Sequence, residues 1–237
     1  MRRPKLIQAN LMNWVFKLRL PVKSEGELLL RCHEIEGLSF LQLAVLLGVA
    51  IPQESSKRKG WAGQAIEIIL GADAGTASSP DFKKLGVELK TIPLGQDYTP
   101  LESTFITSIP LLTIQNQSWK TSQCFAKLKR ILWVPVEGER SIPFEERRIG
   151  KSLLWSPTAE QELILSKDWQ ELTTLITTGH LDEIHAGLGE YLQIRPKAAN
   201  GKSLCYGFDA EGNKTLTLPR GFYLRRLFTE TVLKSRL

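Results

Sequence analysis

Residues 81–90 of this chain read DFKKLGVELK. If the VELK segment is a strand, its valine and leucine face a core, and Glu88 and Lys90 share the opposite face, because side chains alternate along a strand. The preceding glycine permits a tight turn, so that Asp81 folds back beside the strand. We therefore predict a pocket lined by carboxylate oxygens with a cation at its edge.

An oxygen-lined pocket of this kind suits Mg²⁺, which prefers carboxylate, carbonyl and water oxygens. We predict that Asp81, Glu88 and the backbone carbonyl of Leu89 are its protein ligands. Lys90 would hold or deprotonate an attacking water and stabilise the charge that develops on phosphate oxygens. These residue types match the needs of metal-dependent phosphodiester hydrolysis. The alternative reading of the same pattern is a surface hairpin with solvated acidic and basic side chains.

A neighbouring helix, predicted over residues 60–71, favours the metal site over the surface hairpin. Its apolar residues recur at helical spacing, and Gly63, Glu67 and Gly71 form an i, i+4 row. A carboxylate among small and apolar neighbours is costly unless something binds it. We therefore predict that Glu67 is a further acidic group that orients water or completes a second metal site.

The chain resembles the MutH family, the DNA mismatch-repair endonucleases of the PD-(D/E)xK nuclease superfamily. The resemblance runs from about Glu25 to near the C-terminus. It is carried by residues 60–71, 80–93, 132–141, 191–200 and 218–223. These segments are long and specific, whereas the short D-x6-E-x-K pattern alone is not.

The resemblance implies an α/β fold, a restriction-endonuclease-like mixed sheet flanked by helices, with two lobes around a DNA cleft. It also implies an endonuclease that uses Mg²⁺ to nick the unmethylated strand of hemimethylated GATC sites, 5′ to the G. MutL would activate it after MutS finds a mismatch. Two alternatives stay open: a GATC-specific restriction enzyme that makes double-strand breaks without MutL, and a DNA-binding protein that lost catalysis.

Two lysines join the site through the resemblance. Lys59 ends a basic run at 56–59, which is either a solvated loop or a segment that binds a DNA phosphate. The resemblance supports phosphate binding by Lys59. Lys127 precedes the predicted strand at 131–136. It either protects a sheet edge or, as the resemblance implies, belongs to the neighbourhood of the active site.

The predicted DNA-reading residues lie near the C-terminus. Arg195 follows a predicted strand at 191–194, and an arginine at a rigid strand end can place its planar fork against the major-groove edge of guanine. Pro196 fixes the chain just after it. Tyr223 stands among cations, a pattern that suits DNA but also an ordinary strand tyrosine. The resemblance favours DNA binding by these residues and by Lys197.

Composition is consistent with these predictions. The 237 residues carry a net charge of +6, which favours a polyanionic partner. The three cysteines form no C-x-x-C pair, so we expect neither disulfides nor zinc, and a cytoplasmic protein. Because proline stands at 196, the G-K-S at 201–203 completes no phosphate loop, and we predict no nucleotide cofactor. We expect a monomer without a membrane span.

The chain is predicted to form an N-terminal extension, residues 1–22, and a single domain of two lobes, residues 23–237. Capping patterns begin helices at Ser24 and Ser39, and the second is predicted to end at Gly48. A long amphipathic helix is predicted at 157–179. A further strand is predicted at 104–109.

Overall fold

A computed structural model describes residues 20–58, 60–75, 78–197 and 203–235. The chain divides into two compact units. The first takes the residues up to Leu101 together with Ile131–Trp155, and the second takes Glu102–Arg130 and the chain from Ser156 onward. Residues 1–19 of the predicted extension lie outside the described residues. Lys59 also lies outside them.

The first unit contains helices that frame one mixed sheet. The helices are α1 (Glu25–Ile35), α2 (Phe40–Leu47), the short α3 (Ser55–Arg58) and α4 (Trp61–Leu70). The strands are β1 (Glu88–Leu94), β3 (Ile131–Glu137) and β4 (Leu153–Trp155), in the order β1-β3-β4. β1 and β3 are parallel, and β3 and β4 are antiparallel.

The second unit contains antiparallel strands and a long helix. Its strands are β2 (Thr104–Ser108), β5 (Leu192–Pro196), β6 (Cys205–Phe208), β7 (Lys214–Thr217) and β8 (Arg220–Leu224). One sheet has the order β2-β8-β5, and a hairpin pairs β6 with β7. Its helices are α5 (Gln123–Leu128), α6 (Ala159–Thr177) and α7 (Arg226–Lys234). Short 3₁₀ turns lie at Ile114–Asn116 and Trp119–Thr121, and the first unit has another at Phe144–Glu146.

Local signals account for the helix ends. Ser24 and Ser39 cap α1 and α2, and Ser39 forms a full capping box with Gln42. α2 ends at Gly48 in the left-handed conformation, as predicted. α4 lies between Gly60 and Gly71, both also left-handed. The long helix predicted at 157–179 is confirmed as α6, which Thr158 caps.

The core of the first unit confirms the alternation predicted for the strand at 87–90. Val87 and Leu89 are buried in one hydrophobic cluster with the apolar face of α4 and with Leu132 of β3. Gly63 of α4 lies against the same face of β1, because a Cβ at Gly63 would stand 3.6 Å from Thr91 Oγ1. α4 therefore covers the face of β1 that is opposite to Glu88 and Lys90.

The resemblance predicts one mixed sheet, and the mixed sheet of the structure has three strands. The structure has several small sheets instead of one, because β2 pairs with β8 and not with the β1-β3-β4 group. In the described parts of the chain, no helix is both long and apolar enough to cross a membrane.

Candidate active site and DNA-reading strands

The turn that we predicted between Asp81 and β1 is present. Phe82 and Val87 form an isolated antiparallel bridge, and Gly86 adopts a φ of 65° between them. Asp81 Oδ2 accepts the backbone N–H of Leu89 at 2.8 Å. The turn and this hydrogen bond together hold the Asp81 carboxylate against the start of β1.

Glu88 and Lys90 form an ion pair on the face of β1 opposite to Leu89. Glu88 Oε1 lies 2.8 Å from Lys90 Nζ, and the Glu88 side chain is only 2% exposed. The alternative of a surface hairpin with a solvated glutamate is therefore wrong. Ile131, the neighbour of Glu88 on the same face of β3, is fully buried as well.

The residues at this edge of β1 fit a hard divalent cation. The N–H and C=O of one strand residue point to the same side of the strand. Because the N–H of Leu89 is bonded to Asp81, the Leu89 carbonyl lies at the same outer edge of β1, away from β3. Carboxylate and carbonyl oxygens are the donors that Mg²⁺ prefers, so the residue types present here suit that ion.

Glu67 comes from α4, on the other face of β1, and is half-buried. Within the described ranges, no group of three or more histidine, cysteine or acidic residues is arranged to hold a metal ion. The role predicted for Glu67 stays a prediction.

Lys127 belongs to the second unit, near the C-terminal end of α5, where it is half-buried. The alternative that it protects a sheet edge is wrong, because β3, which follows it in the chain, is flanked by β1 and β4. Its catalytic role stays a prediction.

The candidates for DNA reading lie on β5 and β8 of the second unit, except Lys197, which directly follows β5. Arg195, Pro196 and Lys197 are exposed. We expected the strand to end at Ile194, but it also includes Arg195 and Pro196. Proline is tolerated there because β5 is the edge of its sheet and Pro196 is its last residue.

Aromatic rings connect these cations. The Arg195 guanidinium lies 6.0 Å from the Tyr223 ring centre, and the Tyr223 and Phe105 rings meet edge to face at 5.3 Å. Lys197 Nζ lies 3.1 Å from the centre of the Phe105 ring. A Cβ at Gly221 would stand 2.8 Å from that ring, so the glycine makes room for it. We call Phe105, Arg195, Lys197 and Tyr223 the aromatic-cation cluster.

Phe105 and Glu102 are not among the site residues that the sequence predicts. The pattern predicts Phe105 only as part of a strand, and a bulge between Phe105 and Thr107 shifts its register against β8. No pattern of alternation reveals such a shift. Glu102 is close enough for its charge to affect Tyr223, and an exposed glutamate before a strand gives no signal of this.

Tyr223 is expected to stay a neutral phenol well into the alkaline range. Burial raises the pKa of Tyr223 above the ordinary 10.0, the Arg195 charge opposes that shift, and Glu102 adds to it. Titration of tyrosinate absorbance should show a tyrosine that ionises above the ordinary range and is absent from Tyr223→Phe. Tyr206→Phe, which removes an exposed tyrosine, is the control. A late ionisation that persists in Tyr223→Phe would contradict the assignment.

Comparisons with known proteins identify the family of this chain. A family model described as DNA mismatch repair enzyme MutH matches residues 70–168, which include Asp81, Glu88, Lys90 and Lys127. The DNA mismatch repair proteins MutH of Vibrio parahaemolyticus and Vibrio campbellii are each 51% identical over 211 residues, covering 89% of this chain and 93% of theirs. MutH of Escherichia coli K12 is 48% identical over 213 residues, covering 90% of this chain and 93% of its own length. At this identity and coverage, the chain belongs to the MutH family of DNA mismatch repair enzymes.

Proposed function

We propose that this chain nicks the unmethylated strand of hemimethylated GATC sites, 5′ to the G, in methyl-directed mismatch repair. As a member of its family it is a DNA mismatch-repair endonuclease. The observation that supports the chemistry best is the arrangement at residues 81–90. There a buried glutamate is paired with Lys90, and Asp81 is hydrogen-bonded to the intervening Leu89 N–H.

We propose Mg²⁺ as the cofactor, held by Asp81, Glu88 and the Leu89 carbonyl. When bound, the ion would supply an activated water and neutralise charge on the phosphate. Asp81 is already fixed for this task by its bond to the Leu89 N–H. Lys90, anchored by Glu88, would orient the attacking water and stabilise the developing negative charge. Glu67 is proposed to orient water or to complete a second metal site. Family membership supports a catalytic or phosphate-binding role for Lys127.

The second unit would read the site. Arg195 would contact the O6 and N7 edge of guanine, with Pro196 limiting the freedom of the strand end and Lys197 reaching a neighbouring base or phosphate. Lys59, outside the described residues, is proposed to bind a phosphate through the resemblance alone. The restriction-endonuclease-like fold with two lobes around a DNA cleft is likewise proposed from family membership.

Tyr223 is a candidate for sensing adenine methylation. The adenine N6 amine lies in the major groove, and methylation removes one donor hydrogen and adds bulk. A phenol that keeps its proton can both donate and accept a hydrogen bond. The ring meets the Phe105 ring edge to face, and the Arg195 guanidinium lies 6.0 Å from its centre. A rigid polar contact of this kind would reject a methyl group on the strand that it touches.

We propose that the partners are double-stranded DNA and MutL, with MutS acting through MutL. The chain would work in the cytoplasm as a monomer, and nucleotide dependence would belong to its partners. A nicking assay tests the proposal as a whole. Purified protein is incubated with unmethylated, hemimethylated and fully methylated GATC duplexes, with and without MutL and ATP. The expected result is Mg²⁺-dependent nicking of the unmethylated strand that MutL and ATP stimulate.

The same assay separates the alternatives. Rapid double-strand cleavage that MutL does not change would identify a restriction enzyme instead. Specific binding without any nicking would identify a protein that kept recognition and lost catalysis. The presence of Asp81, Glu88 and Lys90 argues against a protein that lost catalysis, because these are the residue types that metal-dependent phosphodiester hydrolysis needs.

Replacing Arg195 with alanine is expected to weaken discrimination for GATC by about 1–3 kcal/mol, since a bidentate contact to guanine is lost. Competition binding of a GATC duplex against a scrambled duplex measures this. Arg130→Ala is the control, because Arg130 is another arginine of the second unit, bonded to Ser156. Equal loss on both duplexes would show instead that Arg195 binds phosphate or supports the fold.

A further inference from the structure

The segment that leads into β5 is held by a buried carboxylate. Asp168 of α6 is 3% exposed. Its two oxygens accept three consecutive backbone N–H groups, those of Glu190 at 2.8 Å, Tyr191 at 2.7 Å and Leu192 at 2.8 Å. Charge-assisted hydrogen bonds of this kind are stronger than neutral ones. One side chain of a distant helix therefore fixes the first residue of β5.

A second charged side chain holds the same segment by its carbonyls. Arg225, which follows β8, donates from Nε to the Gly189 carbonyl at 2.8 Å. Its Nη2 donates to the carbonyls of Ala186 at 2.8 Å and Leu188 at 3.0 Å. Donors and acceptors of one short loop are thus satisfied by two ionised groups that lie outside it.

The backbone of this loop turns tightly at Gly189. Gly189 has a φ of 77°, and a Cβ there would stand 1.9 Å from the Leu192 carbonyl oxygen. The loop can close in this way only with glycine, and the two charged side chains then fix its position. The position of the first residue of β5, and with it the register of the strand, is therefore fixed.

That register decides where the recognition residues lie. Leu192 pairs with Leu224, Gln193 with Tyr223, and Arg195 with Gly221. Arg195 is only three residues beyond the last N–H that Asp168 binds. A slip of one residue would send the Arg195 side chain to the other face of the sheet, away from Tyr223.

We infer that Asp168 is a positioning residue for DNA recognition, which aims Arg195 by fixing the start of β5. The inference rests on the proposed function, in which Arg195 reads guanine. The contacts of Asp168 distinguish it from a buried polar residue that serves the helix alone. Thr173 of α6 is also buried, but its hydroxyl bonds only to helix carbonyls, those of Trp169 at 2.8 Å and Gln170 at 3.2 Å.

The test is Asp168→Asn, which keeps the shape of the side chain but turns one oxygen into a donor that faces an N–H. The readout is the ratio of dissociation constants for scrambled and GATC duplexes in metal-free buffer. We expect this ratio to fall by roughly 10- to 100-fold, since a small misplacement of a positioned group has effects of that order. Binding of the scrambled duplex should not change. Thr173→Val, which removes a buried hydroxyl of the same helix and is measured under the same conditions, should keep the ratio.

The double variant Asp168→Asn/Arg195→Ala tests whether Asp168 acts on DNA recognition through Arg195. If Asp168 acts through Arg195, Asp168→Asn changes the ratio little when Arg195 is already absent. Independent, additive losses in the two single variants would overturn the inference. It would also be overturned if Arg195→Ala lowers the ratio and Asp168→Asn leaves it unchanged. An unchanged ratio in Arg195→Ala would instead count against the proposed function. If Asp168→Asn fails to fold, Arg225→Met, which loosens the same loop, should lower the ratio, and an unchanged ratio there would also overturn the inference.

Discussion

Asp81→Ala is expected to abolish nicking, with a loss of about 10³-fold or more. The carboxylate is a proposed metal ligand, and a bound metal supplies several kcal/mol of transition-state stabilisation. DNA binding should largely survive, because the aromatic-cation cluster on β2, β5 and β8 is untouched. Single-turnover nicking of a hemimethylated duplex and equilibrium binding of the same duplex measure the two effects separately.

Two further variants separate the metal role of Asp81 from its local structural role. Asp81→Asn keeps an oxygen for the Leu89 N–H but loses the charge, so nicking should still be lost. Asp73→Ala disturbs the same turn without removing a proposed ligand, because Asp73 Oδ1 only accepts the Lys83 N–H at 2.9 Å. It should keep nicking within a few-fold. A loss in Asp73→Ala as large as in Asp81→Ala would show that the turn, and not the ligand, matters.

The helices were predictable because their signals are local. A serine or threonine before an apolar repeat supplies the hydrogen bonds that a helix start needs, and a glycine after it adopts the left-handed conformation that ends the helix. Ser39, Gly48 and Thr158 act in this way. Helix α5, by contrast, was missed, since its six residues are too few to show a periodic face.

The division into small sheets was not predictable from local pattern. Whether β2 pairs with β8 or joins β1 depends on contacts between residues more than a hundred positions apart in the chain. Alternation reports which face of a strand is buried but not which strand lies beside it. The same limit hid the bulge that places Phe105 beside Tyr223.

The candidate site was predictable in residue type but not in environment. The spacing of Asp81, Glu88 and Lys90 shows that the first can reach the strand and that the other two share a face. It does not show that Glu88 is almost fully buried, because that depends on Ile131 and its neighbours from a distant strand. The role of Asp168 was equally hidden, since its partners are backbone N–H groups more than twenty residues away.

Lys90→Met is expected to abolish nicking and also to destabilise the protein. The lost amine donor should reduce nicking by roughly 10²- to 10⁴-fold, the usual contribution of a positioned proton donor or acceptor. The free energy of unfolding should fall by about 3 kcal/mol, because the buried Glu88 carboxylate loses the positive charge that lies 2.8 Å from it. Glu88, at 2% exposure, cannot regain hydration without disturbing β1. Urea unfolding and single-turnover nicking measure these effects.

The double variant Glu88→Gln/Lys90→Met separates stability from catalysis. Removing both charges leaves no buried carboxylate that has lost its lysine, so the double variant should be more stable than Lys90→Met alone. Nicking should stay absent, because a proposed metal ligand and the proposed donor are both lost. Lys234→Met, which breaks an exposed pair with Glu230 on α7, is the control and should change neither stability nor nicking appreciably. Equal destabilisation in the single and double variants would show that the Lys90 stem, rather than its charge, supports Glu88.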